Sequence, residues 1–389
     1  MTLQLYLHFP FCKRKCYYCD FFSGKASETE QRGYAALLEK EIRLAAEKYE
    51  DITVSTLFFG GGTPSLMPLS AMERIWQTLS ECFTLSREAE YTVEANPGTL
   101  TEEWLLAARR YGVNRLSIGV QAAQDGILKS LGRIHTFQEA KEAATLARAC
   151  GFQNINIDVM FGLPGQTVPD YLETLGAVRE WNPSHISAYS LIVEPETELF
   201  RRVECGECHI PEEDETAEMY QKGRGWLERE GYAQYEISNF AREGQECRHN
   251  LGYWQGAWYL GLGLNAHSML PGKSWDGAYI RTENTSDLKE YLESLEAGKL
   301  PICRETVISD KEAMFETMML GLRTLRGVGF EDFHRRHGLT LMEIYGEPLH
   351  ALVKEGLGVL REEPGGGHFF TLSPKGLLLQ NSVLLQLME

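Results

Sequence analysis

The sequence predicts an α/β fold: a partial (β/α)6 barrel, a middle segment rich in glycine and aromatic residues, and a C-terminal winged-helix-like α+β domain. Short apolar runs alternate with helical patterns from the N-terminus to about residue 235. Residues 236–303 lack clear helical periodicity, and from residue 304 onward helices precede a hairpin pattern. We therefore expect three domains, at 1–235, 236–303 and 304–389.

Six apolar runs of the first domain are predicted to be strands, with helices between them. Such an alternation fits either a doubly wound parallel sheet or a partial barrel. Polar residues recur where the strands end, which favours the barrel, because barrel active sites are built at the carboxyl ends of strands. The strands are expected at Leu3–His8, Ser55–Gly60, Glu90–Ala95, Arg115–Gly119, Asn154–Val159 and Ser184–Leu191. The helices are expected at Gln31–Tyr49, Leu69–Cys82, Thr101–Tyr111, Phe137–Cys150 and Val168–Glu180.

The C-terminal domain is predicted from three helical patterns followed by Gly358–Glu363, a Pro-Gly-Gly-Gly turn and His368–Leu372. Winged helices often bind DNA, but residues 304–389 carry 9 Lys and Arg against 12 Asp and Glu. This charge balance favours a packing or lid role.

The charge and hydropathy of the whole chain exclude several classes of partner. The net charge of −17 argues against nucleic acid, because binding phosphates needs clustered lysine and arginine. No apolar run approaches the roughly eighteen residues of a membrane span. The N-terminus has no signal-peptide pattern. We therefore expect a cytoplasmic protein without an integral membrane segment.

Three of the nine cysteines, Cys12, Cys16 and Cys19, crowd into one loop after the first strand. Disulfides are not expected in a cytosolic chain. A loop can wrap three thiolates around one [4Fe–4S] cubane. Three cysteines leave one iron without a protein ligand, and the amino and carboxylate groups of S-adenosylmethionine (SAM) can chelate that iron.

The Cys-x-x-x-Cys-x-x-Cys loop resembles the signature of the radical SAM superfamily, in which an aromatic residue such as Tyr18 precedes the last cysteine. Gly60–Pro64, after the second strand, resembles the glycine motif whose backbone meets the amino group of SAM in that family. Further positions are similar to the coproporphyrinogen III dehydrogenase-like branch. The resemblance implies SAM contacts by Tyr6, Gly61, Gly62, Thr63, Glu94, Gln121, Arg133, Asp158 and Ser190. Among them, the carboxylates would accept from ribose hydroxyls, and Arg133 would pair with the methionyl carboxylate.

Two departures separate the chain from the anaerobic dehydrogenases of that branch. Those enzymes carry a further cysteine two positions beyond the third, where this chain has Phe21, and an N-terminal extension before the first strand. Cys247–Trp254 instead resembles the HNxxYW motif of HemW-type haem chaperones, and the resemblance runs nearly end to end. It implies that haem is bound and delivered to haem-requiring proteins of unknown identity. It also leaves room for a reductant protein such as flavodoxin or ferredoxin.

Within the HNxxYW motif, His249 offers an imidazole for haem iron, while Tyr253 and Trp254 offer flat faces for a porphyrin. From the residues alone, a core histidine beside packed aromatic rings is the better interpretation. The family pattern reverses that preference and implies haem contact by all three residues. His267 is a second candidate for the iron.

Two enzyme functions compete with the chaperone hypothesis. One is oxygen-independent oxidative decarboxylation of coproporphyrinogen III, and the other is radical modification or breakdown of haem. A separate motif, Cys205-Gly-Glu-Cys208-His209, spells the c-type haem attachment sequence. Because covalent attachment normally happens outside the cytoplasm, we interpret this motif as a surface coincidence, with covalent haem and a zinc site as alternatives.

Overall fold

A computed structural model describes residues 1–272, 279–363 and 365–388. The first domain has the expected alternation of strands and helices. Its strands are β1 (Thr2–Phe9), β2 (Thr53–Gly61), β3 (Thr84–Ala95), β4 (Arg115–Gln121), β5 (Asn154–Phe161) and β6 (His185–Ser190). Its helices are α1 (Glu28–Lys48), α2 (Leu69–Cys82), α3 (Glu102–Arg110), α4 (Asp125–Ser130), α5 (Phe137–Ala149), α6 (Val168–Arg179), α7 (Glu198–Glu204) and α8 (Glu213–Arg229).

The six predicted strands and five predicted helices are all confirmed, with ends that differ by a few residues. The largest difference is at β3, which begins at Thr84 rather than Glu90. The early part of that strand is mostly polar and exposed, so its sequence lacks the apolar alternation of a half-buried strand. Three helices were not among the five predicted: α4 and α7, which are too short to show a helical period, and α8, which is 17 residues long but mostly polar.

Side-chain caps explain where several of these helices begin. Ser27 and Thr136 each accept a hydrogen bond from the backbone N–H three residues on, and a glutamate there reaches back to the cap. Thr167 and Asp170 form the same reciprocal pair at the start of α6. Such capping boxes satisfy N–H groups that have no partner within the helix.

The strands form one open, mixed sheet of twelve strands rather than a closed barrel. β1 to β6 are parallel and follow one another in chain order. Leu3, Leu5 and Leu7 of β1 are buried in the core between the sheet and the helices. The alternate residues, such as Gln4 and Tyr6, face the concave side, because successive side chains of a strand point to opposite faces.

Residues 233–308 extend this sheet at both edges. β9 pairs in parallel with β1, and β10, β11 and β12 follow in antiparallel order, while β7 and β8 join β6 at the other edge. The elements are β7 (Ala233–Gln234), β8 (Asn239–Ala241), α9 (Arg248–Trp254), β9 (Tyr259–Leu262), β10 (His267–Pro271), β11 (Tyr279–Asn284), α10 (Leu288–Glu296) and β12 (Ile302–Ile308). The three domain boundaries expected from the sequence stay a prediction.

The C-terminal region has a hydrophobic core of its own, built around side chains such as Phe333 and Phe370. Its sheet has the order β13–β15–β14, with helices before and after it, so the winged-helix-like α+β prediction is confirmed. Pro364 of the predicted turn lies outside the described residues. The elements are α11 (Asp310–Gly321), β13 (Val328–Gly329), α12 (Phe330–His337), α13 (Leu341–Lys354), β14 (Gly358–Glu362), β15 (His368–Leu372), α14 (Pro374–Leu378) and α15 (Gln380–Gln386).

Within the described residues, no helix is both long enough and apolar enough to cross a bilayer.

Candidate functional site

The three cysteines lie as free thiols in the loop between β1 and α1. Backbone hydrogen bonds fix this loop at both ends: Cys12 N donates to the Gly24 carbonyl at 2.8 Å, and Gly24 N donates to the Pro10 carbonyl at 2.9 Å. Between them, Tyr17 N donates to the Leu131 carbonyl at 2.9 Å. The loop is therefore held at the carboxyl ends of the strands, the edge where barrel active sites lie.

Two donors reach the thiols. Thr63 Oγ1 lies 3.5 Å from Cys12 Sγ, and Arg133 Nη1 lies 3.6 Å from Cys16 Sγ. Burial raises the pKa of Cys19 to about 11, and the neighbouring thiols of Cys16 and Cys12 add to that rise. The three sulfur atoms therefore share one electrostatic environment, in which the Arg133 guanidinium is a counter-charge for thiolates.

The donor chemistry of this loop fits an iron–sulfur cluster. Across the described ranges, no three His, Cys, Asp or Glu side chains converge on one point as a single metal ion requires. A [4Fe–4S] cubane instead takes one thiolate at each of three separate irons and leaves the fourth iron open. When bound, such a cluster supplies an electron and an open coordination position for SAM.

The glycine motif packs directly on the cysteine loop. Thr63 N donates to the Phe11 carbonyl at 2.8 Å, and a Cβ at Gly62 would lie 2.5 Å from the same carbonyl oxygen. Gly61 has φ +104°, and a Cβ there would lie 2.5 Å from the His8 ring. Only glycine permits both approaches. The motif therefore positions the cluster loop as well as lining the site.

Glu94 and Asp158 lie on the concave side of the sheet, close to this loop. Glu94 Oε2 accepts from Gly61 N at 3.1 Å, while Asp158 accepts from Asn156 Nδ2 at 2.7 Å and from Ser117 Oγ at 3.1 Å. Burial raises the pKa of both carboxyl groups, and that of Glu94 reaches about 8 because Asp158 adds to the rise. Two acidic groups in one buried site suit a ligand that is cationic or rich in hydroxyl groups.

The remaining predicted SAM contacts lie at the same edge of the sheet. Gln121 has φ +74°, a left-handed conformation that is uncommon for residues other than glycine. Arg133 Nη2 donates to Asn96 Oδ1 at 2.9 Å and to the Gly119 carbonyl, so the guanidinium is already tied to β4. Ser190 is exposed at the end of β6.

The HNxxYW motif forms α9, which packs against the amino-terminal half of the parallel strands from the concave side. Gln4 Nε2 donates to the His249 carbonyl at 3.1 Å and to the Arg248 carbonyl at 3.2 Å. Gly252 has no side chain at the place where the Gln4 amide lies. Glu90 of β3 accepts from Arg248 N at 3.1 Å and from His249 N at 3.0 Å. Its carboxylate therefore caps the N-terminus of α9.

His249 is 1% exposed, and both of its ring nitrogens are engaged. Nδ1 lies 2.7 Å from Thr56 Oγ1, and Nε2 lies 3.0 Å from the Tyr253 hydroxyl. The ring stacks on Phe58 with centroids 5.0 Å apart. Burial, with a smaller effect from Arg115, lowers the pKa of His249 to about 3, so the imidazole is neutral. Ligation of haem iron by His249 stays a prediction, and it requires one of these two hydrogen bonds to open.

The other residues predicted to contact cofactors lie at different places around α9. Tyr6 lies above it on β1, with its hydroxyl 3.0 Å from His8 Nδ1. Trp254, at the opposite end, lines a cleft that opens beside the C-terminal domain. His267 is exposed at the start of β10. The structure therefore gathers most of the residues predicted to contact SAM at one edge of the sheet and the HNxxYW residues beneath them.

The Cys205–His209 segment follows α7 directly. Cys205 is exposed, and Arg202 of α7 lies 3.9 Å from the ring centroid of Tyr17 in the cysteine loop. No converging set of metal ligands is found there or elsewhere in the described residues, so the zinc alternative gains no support. The segment borders the cluster loop without contributing to it.

Several polar residues of the site were missed by sequence reasoning, above all Glu90 and Arg115. A signal for them existed. Glu90, Thr92 and Glu94 alternate along β3 with apolar neighbours, and Arg115 and Ser117 alternate in the same way along β4. A period of two places such residues on one face of a strand. Polar residues repeated on one face of successive parallel strands predict a polar concave side.

A comparison with solved structures supports this architecture. The Escherichia coli coproporphyrinogen III oxidase HemN, a radical SAM enzyme, superposes with a TM-score of 0.83 over 99% of this chain and 90% of that one. The two sequences are 24% identical, so the likeness shows the fold alone.

Family comparisons match the two parts of the chain separately. The Radical SAM superfamily matches residues 6–178, and the HemN C-terminal domain matches residues 308–379. Together with the fold and the cysteine loop, these matches define a radical SAM protein. The heme chaperone HemW of Bacillus subtilis (strain 168) is 35% identical over 353 residues, which cover 90% of this chain and 91% of the relative. The heme chaperone HemW of Escherichia coli (strain K12) is 37% identical over 87% of this chain and 86% of its own. The chain therefore belongs to the HemW family.

Proposed function

We propose that this protein is a haem chaperone, which binds haem and delivers it to haem-requiring proteins while holding a SAM-ligated [4Fe–4S] cluster on Cys12, Cys16 and Cys19. The observation that carries this proposal is the end-to-end similarity to curated relatives that are named heme chaperones. The protein is proposed to act in the cytoplasm, with a flavodoxin or ferredoxin as the source of electrons for the cluster.

The cysteine loop favours the chaperone over coproporphyrinogen III decarboxylation. Phe21 stands where the dehydrogenases have a further cysteine, and its side chain is 67% exposed. A phenyl group supplies neither a thiolate nor a proton, so it cannot replace that cysteine in the chemistry of the site. The HNxxYW residues, by contrast, are all present in α9.

SAM is proposed to bind at the carboxyl edge of the parallel strands. An amino group whose lone pair is bound to the open iron can only donate hydrogen bonds, so it would be received by backbone carbonyl groups of Gly61 and Gly62. The ribose hydroxyls would donate to Glu94 and Asp158, whose pKa values are raised mainly by burial, with Asp158 adding to the rise at Glu94. Tyr6, Thr63, Gln121, Arg133 and Ser190 complete the proposed site.

Asp158→Asn is expected to weaken SAM binding by about ten- to a hundredfold, because losing a charge-assisted hydrogen bond typically costs about 1.5–3 kcal/mol. Isothermal titration of SAM into anaerobically reconstituted protein measures this change. Asp214→Asn, on the exposed face of α8, is the matched control and should bind SAM like the wild type. Unchanged affinity in Asp158→Asn would show that the proposed site is misplaced.

Haem titration tests the function itself. The wild type is expected to bind haem with a Soret band that His249→Ala weakens or shifts, because an imidazole ligand would be lost. His350→Ala, at an exposed position of α13, should leave the band unchanged. Both variants should retain the cluster, since neither histidine lies in the cysteine loop.

A parallel assay with coproporphyrinogen III, SAM and a reductant under anaerobic conditions separates the chaperone from its enzyme rival. The wild type is expected to form no protoporphyrinogen. Turnover in this assay, or a wild type that binds no haem, would overturn the proposed function. Haem binding that His249→Ala leaves unaltered would retain the function and remove His249 as the iron ligand.

A further inference from the structure

A cleft of about 890 Å³ lies between α9 and the C-terminal domain. Its volume is within the range of about 300–1,000 Å³ that is usual for sites of small molecules and cofactors. One wall comes from the end of α9 and the strands β10 and β11, and the other comes from α11, α12 and the strands of the C-terminal sheet. We call it the interdomain cleft. Its aromatic and thioether lining includes Tyr235, Trp254, Met269, Tyr279, Phe333 and Phe369.

The charges of the interdomain cleft are divided into paired and unpaired groups. Four arginines and three carboxylates line it. Arg335 pairs with Asp332 at 2.8 Å, while Arg326 and Arg361 lie 3.4 and 3.8 Å from the carboxylate of Glu363. The third carboxylate belongs to Glu246. These pairs leave Arg336 as the lining arginine whose charge is not offset by a carboxylate of the cleft.

Arg336 lines the cleft, and Arg323 lies just outside this lining, over the ring of Trp254. Among the described residues neither forms an ion pair within 4 Å, although Glu316 lies close enough to act on the charge of Arg336, and Glu236 lies close to Arg323. Arg336 lies 5.8 Å from the ring centroid of Trp258 and donates through Nη1 to the Gln255 carbonyl at 3.2 Å. Arg323 lies 5.2 Å from the ring centroid of Trp254. Stacking on a ring orients a guanidinium and leaves its N–H groups free to donate to an anion.

The indole of Trp254 offers a third donor. Its Nε1 is buried and has no hydrogen-bond acceptor among the described residues. A buried N–H without a partner is unusual and costs free energy, so such a group typically receives an acceptor from a ligand or from water. Arg323, Arg336 and Trp254 Nε1 together present donors beside an aromatic surface, and donors of this kind suit the carboxylates of a flat, apolar ligand.

We propose that the interdomain cleft holds haem by its two propionates, which Arg323 and Arg336 would bind with Trp254 Nε1. This inference rests on the proposed function and identifies where that function would take place. It does not depend on which side chain ligates the iron.

The position of the cleft agrees with delivery rather than with radical chemistry on the bound haem. Met269 of the cleft pairs with Tyr259, which pairs with Gln4 near the amino end of β1. Apart from Tyr6, the proposed SAM residues lie at the level of His8 or beyond it, at least four residues further along and therefore roughly 13 Å away at about 3.3 Å per residue. With α9 between the two, a porphyrin in the cleft would face solvent and an acceptor protein instead of SAM.

Two porphyrins that lack iron test the cleft without involving any iron ligand: protoporphyrin IX and its dimethyl ester. The wild type is expected to bind the diacid at least about tenfold more tightly than the ester, because a neutral ester offers no negative charge to the two guanidinium groups. Arg323→Gln with Arg336→Gln should weaken binding of the diacid by about ten- to a hundredfold and abolish the preference. Arg87→Gln with Arg304→Gln, at two exposed positions away from the cleft, is the matched control with the same change in net charge.

Fluorescence titration on the full chain gives these affinities, and circular dichroism and iron content report folding. If the double variant fails to fold, Trp254→Phe, which keeps an aromatic ring at the position but removes Nε1, should still lower the affinity for the diacid severalfold. The proposed haem site would be contradicted by a wild type that binds acid and ester equally. A folded double variant that binds the diacid normally would contradict it as well. A wild type that shows the expected preference but never transfers haem to an apo-protein would contradict the proposed function, while the proposed porphyrin site in the cleft would be retained.

Discussion

Cys16→Ala protein, reconstituted anaerobically with iron and sulfide, is expected to hold no stable [4Fe–4S] cluster. Each of the three thiolates would occupy a separate iron, so removal of one leaves two irons without protein ligands. Cys12→Ala and Cys19→Ala should give the same result. Iron and sulfide analysis measures the loss, together with the visible absorbance of the cluster. The expected change is from nearly full occupancy to almost none.

The second pair of cysteines supplies the control. Cys205→Ala with Cys208→Ala removes thiols beside the loop but outside it, and the cluster should survive in full. Arg202, which stacks on Tyr17, is untouched by this change, so the support of the loop is preserved. A cluster that persists without Cys16, or one that disappears with the 205/208 pair, would contradict the assignment of the ligands.

Local patterns were sufficient to predict the parallel strands and the cysteine loop. Each strand of the first domain is a short apolar run, and the helices between them begin at capping residues such as Thr136 and Thr167 that the sequence displays. Cluster ligands separated by three or four residues are also a local signal. These features depend only on residues that are close together in the chain, so they can be recognised without knowledge of the fold.

Contacts between distant parts of the chain could not be predicted in this way. Glu90 accepts hydrogen bonds from residues of α9 that are about 160 positions away. The seven-residue helix α9 is too short to show a period, and its anchors Gln4 and Thr56 belong to other strands. His249 therefore had two interpretations in the sequence. The fold gives it the packing of a core residue, and its contact with haem stays a prediction.

The buried carboxylate of Glu41 connects the outer helix α1 to the carboxyl end of the parallel strands. Glu41 Oε2 accepts from Gly263 N at 2.7 Å and from the Tyr291 hydroxyl at 2.5 Å, and Oε1 accepts from Asn284 Nδ2 at 2.6 Å. Burial raises the pKa of Glu41 to about 7. Beside it, Tyr34 of the same helix donates to the carbonyl of His8 at 2.7 Å and accepts from Leu264 N at 3.0 Å.

This cluster explains the Gly261–Ser268 segment that follows HNxxYW in the sequence. Gly263 has φ +107°, and a Cβ there would lie 2.6 Å from the Tyr34 hydroxyl and 2.7 Å from the His8 carbonyl oxygen. The backbone N–H of this turn is thus directed at Glu41 and not at a ligand. His8, whose ring packs on Gly61, is held in place from behind by the same group of residues.

Glu41→Leu is expected to lower the free energy of unfolding by about 3–5 kcal/mol. The change removes three accepted hydrogen bonds and leaves the donors of Gly263, Asn284 and Tyr291 buried, and each unsatisfied donor costs about 1–3 kcal/mol before the site relaxes. Urea denaturation of the cluster-free protein, followed by tryptophan fluorescence, measures the shift. Glu28→Ala on the exposed face of α1 removes only the surface pair with Arg32 and should change little. Equal stability of Glu41→Leu and Glu28→Ala would mean that the donors find other partners, and that His8 and the turn at Gly263 are held by packing alone.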